Sequence, residues 1–316
     1  MTGRSFARLP GADMAERLLV AGATGYVGRH LAIHLAEAGR EVRCLVRRPE
    51  AAADLAEAGC EVVAGDVLKP ETLGPALQGV ETAYYLVHSM GRGSKGDFEE
   101  RDRVGARNFA RAAADAGVSQ IVYLGGLGEG ESKHLQSRHE TAVELASTGI
   151  PVTYFRAAVV LGGGSESFQT IYYLVKRLPA MVTPKWTTTR TQPIAIKDVV
   201  AYLSAAADEG PWTGKEIEIG GPDRTTYGGM MLEMASAMDR RAPLMIRVPV
   251  LSPGLSSLWI GLVTPVDTGV ARPLVQGLTT ETVVRDPSGM EMFEVEATPI
   301  GEAMQAAVAE LEASRA

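Results

Sequence analysis

Residues 17–28 read Arg-Leu-Leu-Val-Ala-Gly-Ala-Thr-Gly-Tyr-Val-Gly, a short apolar run that ends at Gly22 and is followed by Gly25 and Gly28. An apolar strand feeding a glycine-rich turn, with a helix opening directly behind it, is the setting that brings backbone N–H groups against a pyrophosphate. Gly22 then permits the turn, Gly25 lets the backbone approach phosphate oxygens, and Gly28 lets the helix pack closely on the strand. Beyond the turn Val27, Leu31, Leu35 and Ala38 recur at helical spacing, and Gly39 stands where a helix C-cap belongs. Gly22, Thr24, Gly25, Tyr26, Val27 and Gly28 are therefore expected to form a nucleotide-binding loop.

Working outward, apolar or β-branched runs at 41–46, 60–64, 81–87, 119–124 and 151–155 join 17–22 as six strands, each apolar enough for burial on both faces of a parallel sheet. Between the fourth and fifth, Asp97 can cap a long helix in which Glu99 precedes Arg103 by four residues, with Val104, Phe109 and Ala113 on one side and an end near Gly117. The pattern predicts an α/β fold: a Rossmann-type doubly wound parallel sheet with a smaller, discontinuous C-terminal substrate lobe. Its expected parts are a disordered leader at 1–16, a nucleotide-binding core at 17–160, and a mixed lobe at 161–316 from which about 193–219 returns to the core. Met14 is an alternative to Met1 as the natural start, because organised sequence begins right after it.

In the second half Gly162, Gly163 and Gly164 lead into a helix carrying Phe168, Tyr172 and Tyr173, and a Pro, Trp and Thr stretch follows at 179–193. Phe168, Tyr172 and Trp186, with Met90 from the glycine-containing loop 89–97, are candidate walls for an aromatic substrate; aromatics at helical spacing also build cores. The loop has the composition of a mobile flap and equally of a solvated connection. Asp198 is placed to cap the helix beside it. The apolar segment 255–266, with Trp259, reads as core or as a contact with lipid or a partner.

Composition narrows the function classes. Lys and Arg number 31 against 38 Asp and Glu, a formal charge of −7, which argues against nucleic acid and anionic lipid as partners. No stretch reaches the roughly 20 apolar residues of a membrane span. Cys44 and Cys60 form no CxxC pair, so neither a zinc site nor any other metal site is expected, and two lone thiols suit a reducing cytoplasm.

The cofactor choice rests on the end of the second strand. A site that prefers NAD carries an acidic residue there, about 20 residues past the loop, to bond the ribose 2′-hydroxyl. This chain has Arg47 and Arg48 instead, two guanidinium groups able to bind a 2′-phosphate, so NADPH/NADP+ is the expected cofactor.

With GATGYVG, the arginine pair, AGDV (64–67) and RTQPIAIKDVV (190–200) in order, the chain resembles the atypical and extended short-chain dehydrogenase/reductases, in particular the NmrA-like NAD(P)H-binding bacterial group. The resemblance implies that Asp66 and Val67 meet the adenine, Leu86, Val87 and His88 the nicotinamide-side ribose, and Gly125 and Gly126 the nicotinamide edge. Better-known members carry a Ser and a Tyr-x-x-x-Lys pair for proton transfer. Aligning 148–156 with the strand after the catalytic helix sets His134 at the Tyr position, Arg138 at the Lys position and Gly125 or Gly126 at the Ser position. His134 and Arg138 lie one helical turn apart, so an imidazole and a permanent cation can share a face toward cofactor and substrate. His88, at the end of the fourth strand, reads as cofactor-lining rather than catalytic.

Two readings follow. The first is an NADPH-dependent reductase delivering hydride to a small conjugated or aromatic electrophile. The second is a non-catalytic NADP(H)-binding redox sensor or assembly factor, which calls for a protein partner. A sugar epimerase ranks third, since that chemistry relies on the missing Tyr and Lys.

Overall fold

The computed structural model describes residues 17–88, 98–128, 133–247 and 278–315. The leader 1–16, Met90 and the rest of loop 89–97 with Asp97, and the apolar segment 255–266 lie outside these residues. The six expected strands form as β1 (Arg17–Ala21), β2 (Glu41–Val46), β3 (Glu61–Ala64), β4 (Val80–Tyr85), β5 (Gln120–Gly126) and β6 (Val152–Ala157), and β7 (Glu216–Ile219) joins them. All pair in parallel in the order β7-β6-β5-β4-β1-β2-β3. This is the doubly wound sheet that the alternation predicts.

Strand alternation explains why the runs are apolar throughout. Leu18 and Val20 point into a core shared with Leu31 and Leu35 of helix α1 (Tyr26–Glu37). Leu19 and Ala21 point to the opposite face, among residues from three more helices that follow α2 (Ala53–Glu57): α3 (Leu73–Leu77), α4 (Phe98–Ala116) and α5 (Lys133–Ala146). Each buried leucine or valine among them contributes about 1.5–3 kcal/mol. Helix α1 ends as expected: Gly39 adopts φ +79°, and the Arg40 N–H donates to the Leu35 carbonyl.

Among the described residues α6 (Glu166–Arg177), α8 (Tyr227–Ala237) and α9 (Ile300–Ala313) pack together as a second layer, whereas α7 (Ile196–Ala205) lies against α1 in the first core. Residues 194–195 pair with 160–161. Two local expectations change. Arg103 pairs with Glu100, one position nearer than Glu99. Asp198 does not cap α7: it is buried as the third helical residue, and its carboxylate accepts from the N–H and hydroxyl of Thr298 at 2.8 and 2.7 Å. It anchors the segment before α9. Among the described residues no helix is long and apolar enough to cross a membrane.

Candidate active site

The order of the parallel strands switches between β1 and β4, and the helices that follow these two strands, α1 and α4, lie on opposite faces of the sheet. The Leu86 N–H donates to the Ala21 carbonyl at 2.9 Å, so the chain leaving β4 lies directly on the glycine turn. Gly22 has φ +88°, and a Cβ there would stand 2.6 Å from the Leu86 carbonyl oxygen. On Gly28 a Cβ would collide with the Gly22 carbonyl, whereas on Gly25 it would meet only that oxygen, at 3.1 Å. Helix α1 starts at Gly25 with no side-chain cap and no acidic residue in its first turn. Its leading N–H groups lack intrahelical partners and face a glycine cradle, an arrangement suited to a pyrophosphate.

That cradle opens into a cavity of about 930 Å³ at the carboxyl ends of the strands. Of the expected cofactor residues, Gly22, Thr24, Gly25, Tyr26, Val27, Gly28, Arg47, Asp66, Val67, Leu86, Val87, His88, Gly125, Gly126 and Arg138 all line it. Arg48 does not. One residue past Arg47, it precedes Pro49 in an exposed turn and its carbonyl accepts from Ala51, so only one guanidinium of the pair borders the cavity. The Arg47 side chain makes no hydrogen bond or ion pair among the described residues. Asp66, the residue expected at the adenine, accepts from the Leu68 N–H through its carboxylate at 3.0 Å.

The Tyr26 ring is clamped by the second layer. Gly162 and Gly164 press on the ring so closely that neither has room for a Cβ, and the phenol donates to Glu310 of α9 at 2.7 Å. Glu310 also accepts from the Gly163 N–H at 2.7 Å. Burial, with the hydrogen bond to Glu310 second and its charge third, pushes the Tyr26 phenol far above its ordinary value and keeps it a donor.

At the opposite end Gly125, one of the two expected serine positions, is closed by a side chain from another strand. A Cβ on Gly125 would stand 2.6 Å from the Tyr154 ring, which stacks on Tyr123 with centroids 5.0 Å apart. Arg138 is held by donating from Nη1 to the Leu124 carbonyl at 2.9 Å, and its buried Nε has no partner among the described residues. His134 occupies the second position of α5, one turn before Arg138, and its side chain lies outside the described residues. His88 is bonded through Nδ1 to Oδ2 of the buried Asp102 at 2.9 Å. Burial pushes the His88 imidazole below its ordinary value, Arg138 adds to this, and Asp102 opposes it.

The aromatic substrate wall is a correction. Phe168 and Tyr172 are fully buried in the second-layer core, where the Tyr172 phenol donates to Glu312, and Trp186 packs edge-on to Tyr227 with centroids 6.1 Å apart. None of the three lines the cavity. Helix α6 turns Phe168 and Tyr172 inward, and the cavity is walled by residues 164–167 at its start, with Leu127, Leu135, Val159, Tyr227, Leu278 and Thr282. Tyr227 had no local signal in the sequence. Burial raises its phenol above the ordinary value against the hydrogen bonds from Thr282 and Thr191.

A parallel sheet with a glycine turn at its crossover and a cavity spanning its strand ends defines a dinucleotide-binding Rossmann domain. Residues 22–159, a little under half of the chain, match the NAD(P)H-binding family model, in line with the resemblance to atypical short-chain dehydrogenase/reductases. The chain is 32% identical over 150 residues to the photosystem II assembly factor Ycf39 of Synechocystis, covering 46% of each chain, so it spans about half of that relative's length. It is 28% identical over 248 residues to a ceramide reductase of Caulobacter vibrioides, covering 77% of this chain and 76% of that one. The solved structure of Citrobacter sp. triphenylmethane reductase complexed with NADP(H) superposes with a TM-score of 0.72 at 21% identity, covering 92% of this chain and 99% of that chain.

Proposed function

We propose that this chain is an NADPH-dependent reductase of a small conjugated or aromatic electrophile: a quinone, an enone or a carbonyl compound. The observation that carries the proposal is the continuity of one cavity, from the glycine cradle and Arg47 at one end to an apolar wall of Leu127, Leu135, Val159, Tyr227 and Leu278 at the other. NADPH, when bound, supplies a hydride to an electrophile held against that wall. Arg47 offers an uncommitted guanidinium to a 2′-phosphate, the first turn of α1 offers N–H groups to the pyrophosphate, and Arg138 contributes a permanent cation near the reacting end. The apolar wall excludes water from the acceptor and favours planar, weakly polar molecules. Buried, free Cys44 and Cys60 fit action in a reducing cytoplasm. Likeness to a ceramide reductase and a triphenylmethane reductase supports a reductase, although neither substrate is transferred here.

The test is NADPH oxidation followed by absorbance with 1,4-naphthoquinone, cyclohexenone and benzaldehyde as acceptors. Turnover of one class supports the reading. Tight NADPH binding with no acceptor reduced favours the second reading, an NADP(H)-binding sensor or assembly factor with a protein partner. The specific observation behind that alternative is the Tyr154 ring closing Gly125, one of the two expected serine positions, together with the likeness to a photosystem II assembly factor.

A further inference from the structure

A single carboxylate on α9 joins the nucleotide loop to the segment that leads into α6. Tyr26 serves both ends of this link. As the first residue of α1 its N–H has no intrahelical partner and belongs to the group that faces the glycine cradle, while its phenol leaves the loop for the second layer. There Glu310 Oε2 accepts from the phenol and from the Gly163 N–H, each at 2.7 Å. Its Oε1 lies 2.9 Å from the same phenol and 3.5 Å from His30 Nε2. Tyr26 and Gly163 stand 284 and 147 positions from Glu310, so only the packing of the two layers brings the three together.

Gly163 carries the link toward the acceptor. Its N–H donates to Glu310 and its carbonyl accepts from the Gln169 side chain of α6 at 2.9 Å, which fixes both of its polar groups. A Cβ there would stand 2.7 Å from the Leu311 backbone nitrogen, so this loop lies directly on α9. Helix α9 is anchored in turn, with Ala307, Val308 and Leu311 buried in the second-layer core and Glu312 accepting from Tyr172. The four residues after Gly163, 164–167, border the cavity.

We propose that Glu310 is a positioning residue through which a nucleotide on the cradle sets the acceptor side of the cavity. A pyrophosphate bonded to the first turn of α1 fixes the Tyr26 backbone, the Tyr26 phenol and Glu310 pass that restraint to Gly163, and residues 164–167 are held where the acceptor meets them. The proposal rests on the reductase reading for the acceptor, and on these hydrogen bonds for the link. A clamp that only stabilised the fold would leave segment 163–167 the same with and without nucleotide, whereas a positioning link makes the segment respond to it.

The test is amide hydrogen exchange, read residue by residue by NMR, in the free protein and in the protein saturated with 2′-phospho-ADP-ribose, which is NADP+ without its nicotinamide ring. In the wild-type protein this ligand should slow exchange at 163–167 by about fivefold or more, alongside 24–28. Tyr26→Phe keeps the ring against Gly162 and Gly164 and removes only the donor. The ligand should still slow exchange at 24–28 in this variant, while 163–167 stays within about twofold of the free protein. Glu310→Ala should behave likewise, with Glu310→Gln, which keeps one accepting oxygen, between it and wild type; if Glu310→Ala does not fold, Tyr26→Phe carries the same comparison. In turnover at saturating NADPH with 1,4-naphthoquinone, cyclohexenone or benzaldehyde, Tyr26→Phe should raise the acceptor KM by about 2–10-fold and leave kcat within about twofold. Equal slowing at 163–167 in wild type and Tyr26→Phe would overturn the proposal, because the ligand then acts on that segment directly. So would a wild-type protein in which the ligand slows exchange at 24–28 and not at 163–167. A wild-type protein that reduces none of the three acceptors counts against the reductase reading, and the exchange measurement, made without acceptor, still decides the link.

Discussion

At the glycine turn the cavity wall is backbone: Gly22, Gly25 and Gly28 come from one stretch of seven residues, and Gly22 and Gly28 hold places that a Cβ would block. At the opposite end the wall is made of side chains from separate elements, with His88 after β4, Arg138 on α5, Tyr227 on α8 and Leu278 and Thr282 from late in the chain. A backbone cradle recognises a phosphate that every dinucleotide shares. A side-chain wall can change with the acceptor while the cradle stays the same.

The sharpest way to break this comparison is to add side chains to the cradle. Gly25→Val should abolish NADPH binding in a calorimeter while circular dichroism and thermal midpoint stay near wild type, because its Cβ meets only one carbonyl oxygen and the rest of the side chain enters the phosphate space. Gly28→Ala should lose binding and stability together, since it drives into the Gly22 backbone. Identical behaviour of the two variants would remove the distinction.

Arg47→Ala should cost about 1.5–3 kcal/mol of NADPH affinity and leave NADH affinity nearly unchanged. Arg48→Ala should be close to silent toward both nucleotides, because Arg48 stands outside the cavity. Equal losses from the two variants would restore the paired arginine clamp. Phe168→Leu should lower stability by about 1–3 kcal/mol in urea unfolding and leave acceptor preference alone; a changed preference would return Phe168 to the substrate wall.

Glu310→Gln tests whether the second layer supports the cradle. It weakens the hold on the Tyr26 phenol and the Gly163 N–H, so NADPH affinity should drop by about 0.5–1.5 kcal/mol, measured by calorimetry. The smallest expected effect concerns acid stability. Burial and Arg138 disfavour the charged form of His88 in the fold, so as pH drops through about 6.5 the unfolded chain binds more protons at this site and stability falls. The thermal midpoint of His88→Gln should therefore decline less than wild type between pH 7 and 5.5.

The cradle was legible because its requirements are local: positive φ at Gly22, clearance at Gly28 and a strand immediately before them. The arginine pair was legible only as a pair, since adjacent residues leaving a strand diverge and sequence does not say which one turns inward. Phe168 and Tyr172 carried a helical spacing that fits a core and a pocket equally well, and the direction of α6 against α8 and α9 decided for the core. The run Gly162, Gly163 and Gly164 carries a local signal of its own. None of them adopts a left-handed backbone, so Gly162 and Gly164 serve for clearance, against Tyr26 within the nucleotide loop. The His88 to Asp102 pair spans 14 residues with loop 89–97 between, a contact set by tertiary packing rather than by spacing.

The most direct test of the two-ended cavity is a crystal structure of the protein with NADP+. The predicted result has the pyrophosphate on the first turn of α1 between Gly22 and Gly28, the 2′-phosphate at Arg47 and the nicotinamide beside His88 and Arg138. A pyrophosphate away from the glycine turn, or a nicotinamide ring lying outside the cavity, would contradict the account.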